Sequence, residues 1–308
     1  PLAAGCELTE VTAARGEDLL VVESVLRPDR AVQAVLLHRT VEGSTVRGEP
    51  GAQVVVRTGA GREIVFREGR GDACYWVDPR YEQGADSIRV EATCYVSPRQ
   101  AGRWVVPGER YELAVVTLRG ERVRGSTRLP GAYQLPGLSP GLPVTGRQEV
   151  SCTLPPDRVL PLVWTSARGA WAYLTEVEVY GLRRVLAGRG GITSVPEPLS
   201  LTGVSVSEKD TTLVVPTEVG VFDRFVLDQE LLRAIRGGFP AGVRVQITLA
   251  ATDRNFVNSV RGGAFNPSGN VHVSSVVGDA VGVFGSLVPH RLLVDVVAGG
   301  GDRPCLRG

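Results

Sequence analysis

The chain has 308 residues, a length expected for two domains that each bury a core of their own. Its formal net charge is +1, and its 34 basic residues, all arginines except Lys209, are scattered among acidic residues. This distribution argues against a nucleic-acid partner, and no apolar run reaches the roughly 18–20 residues needed to span a bilayer.

The first residues resemble the end of a bacterial lipoprotein signal. Small residues precede Cys6 in the segment LAAGC, and polar residues follow it. In such signals the cysteine is acylated and becomes the mature N-terminus, and several acyl chains suffice for stable anchoring. We therefore expect residues 1–16 to be a signal end and tether, with Cys6 lipidated. The alternative is that Cys6 is an ordinary thiol.

Residues 17–129 predict a β-sandwich of the immunoglobulin-like type. The segment consists of short runs rich in Val, Tyr and Thr that are bounded by Gly, Pro or Asp, and it shows no helical period. A tight turn at residues 118–121 is expected to join the last two strands. The predicted strands are Asp18–Leu26, Ala31–Thr40, Ala52–Thr58, Arg62–Glu68, Cys74–Val77, Ser87–Val96, Arg110–Leu118 and Glu121–Leu129.

The stretch Leu129–Pro161 is rich in proline and glycine, which interrupt regular structure. We interpret residues 130–147 as a hinge between two domains, and the whole stretch as linker instead of sheet.

Residues 148–308 predict a second β-domain, which opens like a fibronectin type III module with Trp164 and Tyr173 in its core. Residues 185–202 are expected to form a long loop. Asp228 is positioned to cap a helix over Gln229–Arg236, and Asp253 to cap a helical turn reaching Val260. The predicted strands are Val159–Thr165, Ala170–Leu182, Thr211–Pro216, Val243–Ala251, Val271–Val277, Val281–Val288 and Arg291–Val297.

The cysteines are compatible with an oxidising compartment. Lipidation of Cys6 would leave four others, enough for two disulfides. Cys74 and Cys94 lie in two strand-like runs joined by a turn-rich segment, and Cys152 and Cys305 would tie together the ends of the second domain. The alternative is that these cysteines are buried free thiols, which are common in protein cores.

Several short motifs recur in an order that resembles one protein family. They are Cys6, Leu20–Glu23, Arg39–Thr40, Gly51–Val54, Pro107–Leu113, Trp164 followed by Tyr173, and Gly282–Gly285. Together they resemble the bacterial envelope lipoproteins grouped as domain of unknown function 4249. The resemblance implies an immunoglobulin-like or prealbumin-like N-terminal sandwich, a larger C-terminal β-domain, and genes beside TonB-dependent outer-membrane receptors. It implies no enzymatic activity.

No catalytic, metal or cofactor motif is recognisable in the sequence. The histidines His38, His272 and His290 are far apart, without an HExxH pattern, and no GxSxG motif is present. Asp253 begins a sequence like a calcium loop, but Val257 replaces the next oxygen ligand. We therefore expect a protein that is not an enzyme and needs no cofactor or metal.

We expect an accessory binding subunit of an outer-membrane, TonB-dependent uptake system, anchored by lipid at the bacterial outer membrane or cell surface. A structural or adhesive subunit of an envelope assembly is the alternative. The partner-binding surface is predicted in residues 253–285, where large apolar groups occur among Asn, Ser and Gly. Its candidate residues are Asn255, Phe256, Phe265, Asn266 and Phe284. The alternative is that these phenylalanines fill the end of the sheet, which suits Phe284 best.

Overall fold

The computed structural model of the chain describes residues 18–40, 46–70, 74, 90–99, 104–139, 149–188, 190–192, 194–205, 207, 209–220, 227–261 and 273–306. Strands make up most of the regular structure in these ranges, and the helices are short. The predicted all-β fold with minor helical content is confirmed. Cys6 and the rest of residues 1–16 lie outside the described residues.

Most strands of the N-terminal half have bounds close to those predicted. Burial alternates along them, as in the run Arg110–Val116, where Tyr111, Leu113 and Val115 are buried and their neighbours are exposed. This period of two is the pattern of a strand with one face on a core. The strands are β1 (Leu20–Leu26), β2 (Ala34–Arg39), β3 (Val46–Arg47), β4 (Gln53–Thr58), β5 (Glu63–Glu68), β6 (Val90–Glu91), β7 (Thr93–Val96), β8 (Arg110–Val116) and β9 (Arg122–Arg128). Strand β3 was not predicted, and Cys74, the one described residue of the predicted strand Cys74–Val77, lies in a turn.

The C-terminal half adds further strands and three short helices within the described ranges. Asp228 caps α2 as predicted, because its side chain accepts hydrogen bonds from the backbone N–H groups of Glu230 and Leu231. The elements are β10 (Glu149–Leu154), β11 (Leu160–Val163), β12 (Ala172–Tyr180), α1 (Leu182–Val185), β13 (Leu199–Val204), β14 (Thr212–Val215), α2 (Gln229–Ile235), β15 (Arg244–Thr252), α3 (Arg254–Arg261), β16 (Val276–Gly278) and β17 (Ala280–Val296).

Two of these strands lie where we predicted irregular structure. Strand β10 falls in the stretch predicted as linker, and β13 begins in the predicted loop, so both predictions were wrong there. In β10 the alternate residues Val150, Cys152 and Leu154 are buried, because the strand pairs with β17. Prolines flank both strands but do not interrupt them, and proline at a strand boundary removes no ladder hydrogen bond.

Strand β17 joins the two halves of the molecule. Its first part pairs in parallel with β1 as far as Ser286, and its second part pairs with β15 and, from Arg291, with β10. We had predicted two strands separated near Pro289, and this was wrong. Pro289 falls in the interval between β1 and β10, where no parallel partner needs its missing N–H. The predicted domain boundaries stay a prediction, although β17 shares ladders with strands from both sides of them.

The N-terminal half is a sandwich of two layers. Strands β17, β1, β2 and β7 form one layer, and β5, β4, β8, β9 and β16 continue the same sheet into the other. The layers are in contact, since a Cβ atom added at Gly125 of β9 would lie 3.1 Å from the Cβ atom of Phe284 on β17. One face of the second layer therefore covers the core, and its other face is left to solvent.

The described part of the hinge, residues 130–139, has no regular structure but packs against the core. Tyr133, Leu135 and Leu138 are buried, and the Tyr133 hydroxyl donates a 2.6 Å hydrogen bond to the backbone carbonyl of Leu249 on β15. The segment that connects the two halves therefore contributes these side chains to the core.

Both predicted disulfides are present, so the free-thiol alternative is wrong. Cys74 bonds to Cys94 on β7, and Cys152 on β10 bonds to Cys305, with Cα–Cα distances of 5.6 and 4.9 Å. Cys94 and Cys152 lie in strands, whereas Cys74 and Cys305 lie outside the strands that the structure describes. Disulfides of this kind persist in oxidising, extracytoplasmic compartments.

Candidate partner-binding surface

The described part of the predicted surface is more ordered than its composition suggested. Asp253 caps α3, because its side chain accepts hydrogen bonds from the N–H groups of Phe256 and Ser286 and from the Thr127 hydroxyl, at 2.7–3.0 Å. Burial raises the pKa of the Asp253 carboxyl, and these hydrogen bonds oppose the shift. The cluster fixes α3 onto β9 and β17 and is structural in character.

The candidate residues differ in position. Asn255 donates its side-chain amide to the backbone carbonyls of Ser126 and Phe284, and Phe256 is half-buried. Phe284 is fully buried, so its assignment to the partner-binding surface was wrong. Its side chain faces the layer that contains β9, where its Cβ atom would lie 3.1 Å from a Cβ atom added at Gly125. Phe265 and Asn266 lie outside the described residues.

A broad exposed surface lies instead on the outer face of the sheet formed by β5, β4, β8, β9 and β16. We call the outward side chains of these strands the arginine face. Burial alternates along β5, β8 and β9, so every second residue points away from the core. The face carries six exposed arginines and two exposed glutamates, namely Arg57, Arg67, Arg110, Arg122, Arg124, Arg128, Glu63 and Glu112.

An apolar row crosses the centre of the arginine face. Val65 on β5 is paired with Val55 on β4, which is paired with Ala114 on β8. The row continues to Arg124 on β9 and ends at Val277 on β16. Val65 and Val277 are 54% and 67% exposed, which is high for large apolar side chains in strands. Apolar groups surrounded by charged ones are typical of protein interaction sites.

The charges on this face are only partly compensated. Arg57 pairs with Glu63 at 2.5 Å, and Arg110 pairs with Glu112 at 3.4 Å. Among the residues that the structure describes, no carboxylate lies within ion-pair distance of Arg122, Arg124 or Arg128. The face therefore has an excess of positive charge, and the complementary surface is one with acidic groups beside apolar ones.

The histidines do not assemble a reactive site among the described residues. His38 lies 3.7 Å from Glu23, and hydrogen bonding to this carboxylate raises the His38 pKa. His290 packs against the Tyr133 ring in the core, where burial lowers its pKa. His272 lies outside the described ranges, within which no group of three His, Cys, Asp or Glu side chains is placed to hold a metal ion.

Sequence reasoning missed the arginine face, although part of its signal is local. The alternation in RYELAVV and RVRGSTR indicates which residues of β8 and β9 face outward. The sequence does not show that Val65, Val55 and Ala114 lie side by side, because this depends on strand register. Within the described residues, no helix is long and apolar enough to cross a membrane.

No protein-family model matches the chain, and no curated protein matches it. Among solved structures, it resembles a mutant alpha-2-macroglobulin from Salmonella, with 10% identity and a TM-score of 0.24 over 94% of this chain and 16% of that one. It also resembles a DUF4785 family protein from Legionella pneumophila, with 8% identity and a TM-score of 0.20 over 75% of this chain and 51% of that one. The chain thus spans about a sixth of the first of these proteins and about half of the second.

Proposed function

We propose that this protein is a non-catalytic binding protein of the bacterial cell envelope, and that the arginine face binds an acidic surface of a protein partner. The observation that supports this most is the apolar row of Val65, Val55 and Ala114 with uncompensated arginines beside it. Apolar contacts stabilise such complexes, while unpaired arginines select acidic partners and speed association.

We propose that the protein is located outside the cytoplasm, and the two disulfides support this location. The resemblance to the envelope lipoproteins of domain of unknown function 4249 extends the proposal to an accessory subunit of a TonB-dependent uptake system, anchored by lipid at Cys6. The partner that we propose is then the outer-membrane receptor or its substrate. No cofactor or metal is part of this function.

Replacing Arg124 with glutamate is expected to weaken partner binding about 10-fold or more, because Arg124 lies in the centre of the face and has Val277 and Ala114 as neighbours. The measurement is co-purification of a TonB-dependent receptor from detergent-solubilised envelopes, followed by titration of the purified pair. Arg303→Glu is the matched control, since Arg303 is exposed and lies outside the face.

Equal loss in both variants would contradict the role of the arginine face. Failure of any receptor to co-purify, together with association between copies of this chain, would instead support a structural or adhesive subunit.

Lipidation of Cys6 has a separate test. Intact-mass analysis of protein purified from its native envelope is expected to show a chain that starts at Cys6 and carries several acyl groups. A peptide that retains the residues before Cys6 and carries no lipid would contradict the anchor, without bearing on the arginine face.

A further inference from the structure

Strand β5 has a partner strand on each side, but each of them pairs with only part of it. It pairs with β4 from Glu63 to Phe66, but with β7 only at Arg67 and Glu68. Strand β7 leaves it after Val96, because Ser97 is drawn towards Gln33, with hydrogen bonds in both directions at 2.9–3.0 Å. The first half of β5 is therefore an edge of the sheet.

The backbone groups at this edge belong to Glu63 and Val65. Thr58 donates its N–H to the carbonyl of Arg62, so the backbone groups of Arg62 point towards β4. Because direction alternates along a strand, the N–H and C=O groups of Ile64 and Phe66 also point towards β4. The N–H and C=O groups of Glu63 and Val65 then point to the other side. No described residue pairs with them there. An edge of this kind is a template for another strand.

A groove of about 620 Å³ runs along this edge, between β5 and the segment that follows β7. Its apolar lining includes Val65 and Val96, and Ile64 and Pro98 also contribute. An extended chain lying in it would place alternate side chains over Val65 and alternate ones towards solvent. The geometry therefore suits a peptide in β conformation.

The charges around the groove select the occupant. Arg62 and Arg67 line it, and the exposed Arg99 follows Pro98. The carboxylate of Glu63, which also lines the groove, is already paired with Arg57. An incoming strand with acidic side chains would meet these guanidinium groups, whereas a basic one would be repelled.

We propose that the edge of β5 binds an extended, acidic segment of a partner protein by strand addition. The segment forms hydrogen bonds with the backbone of Glu63 and Val65 and alternates acidic and apolar side chains. This rests on the proposed binding function and specifies its mode, since Val65 and Arg67 belong both to the groove and to the arginine face.

The test uses two synthetic probes with the intact protein, an alternating Glu-Val peptide of seven residues and its Lys-Val counterpart. We expect the acidic peptide to bind and to protect the amides of Glu63 and Val65 from hydrogen exchange. Val65→Pro removes one edge N–H and is expected to weaken binding about 10-fold, since a ladder donor is lost. Val65→Ile, which keeps the N–H, the β-branched shape and the apolar surface, is the comparison and should lose much less binding than Val65→Pro.

A Glu-Val peptide that is N-methylated at alternate residues tests the same idea without changing the protein, in case Val65→Pro fails to fold. It should bind at least about 10-fold more weakly than the unmodified peptide, because its own ladder donors are missing. Equal binding of the methylated and unmodified peptides would overturn strand addition at this edge, and equal binding of the Glu-Val and Lys-Val peptides would overturn the choice of an acidic segment.

The outcomes also separate this inference from the proposed function. Peptide binding that survives Val65→Pro and disappears in Arg124→Glu would retain the arginine face and reject strand addition. Peptide binding that depends on Val65 and ignores Arg124 would retain the edge and reject the broader face.

Discussion

The Arg39→Met variant is expected to lose about 3–5 kcal/mol of unfolding free energy, the range found when one partner of a buried ion pair is removed. Arg39 is 1% exposed and is the largest polar side chain in the core. Its guanidinium donates to Glu49 at 2.7 Å and to both carboxylate oxygens of Glu121 at 2.5–2.8 Å. Methionine fills similar volume but leaves both carboxylates without their cation.

The position of Glu121 explains why this pair matters to the fold. Glu121 ends the turn between β8 and β9, where Thr117 donates a 2.8 Å hydrogen bond to its carboxylate. Arg39 is the last residue of β2, in the opposite layer of the sandwich. The pair therefore ties a hairpin of one layer to a strand of the other, and its loss affects both.

The effect should depend on pH with a defined sign. Hydrogen bonding to Arg39 lowers the pKa of Glu121 below its usual value of 4.5. A carboxyl with a lowered pKa in the folded state stabilises the protein above its unfolded pKa, and this contribution is lost as the pH falls through the folded value. The difference between parent and Arg39→Met should be largest near neutral pH and shrink below about pH 4.5.

Chemical denaturation of the parent and the variant at several pH values provides the measurement. Arg57→Met is the matched control, because Arg57 also lies in a strand and pairs with a glutamate, but on the exposed face. It should leave the denaturation midpoint unchanged. Adding Glu49→Gln and Glu121→Gln to Arg39→Met should recover part of the loss, and no recovery would show that unpaired charge is not its cause.

Removing the second disulfide with Cys152→Ala and Cys305→Ala is expected to lower the unfolding free energy by about 5 kcal/mol. The two cysteines are separated by 153 residues, and cross-linking so long a loop removes much conformational entropy from the unfolded chain. The bond also holds the last described segment beside β10. There Thr153 donates its backbone N–H to the carbonyl of Arg303, and Cys305 donates its N–H to the carbonyl of Thr153.

The first disulfide supplies the comparison. Cys74 and Cys94 are separated by only 20 residues, so the Cys74→Ala and Cys94→Ala variant should lose about 3 kcal/mol by the same chain-entropy estimate. Both pairs are measured by denaturation without reductant. A larger loss for the shorter loop would contradict the entropic account and indicate that local contacts dominate.

The local pattern of the sequence was enough to locate most elements. A strand with one buried face repeats every two residues, and a helix cap requires a side chain two or three residues from its target, so β8 and the caps at Asp228 and Asp253 were predicted correctly. The two disulfides were proposed from where the cysteines stand, with free thiols as the alternative, and the structure decided between them. The candidate site was predicted less well, because Phe284, one of the residues assigned to it, lies in the core.

What the sequence alone determined is thus which residues face a core and where the chain turns, because these depend on neighbours a few positions apart. The tertiary structure alone decided which strands lie side by side. Val277 is next to Arg124 only through the register of β16 and β9. Strand β17 continues through Pro289 because β15 pairs with it on one side without a break, while β1 and β10 meet its other side before and after that residue. Contacts between residues so distant in the chain are set by the packing of whole layers, and the arginine face and the open edge of β5 arise from that packing.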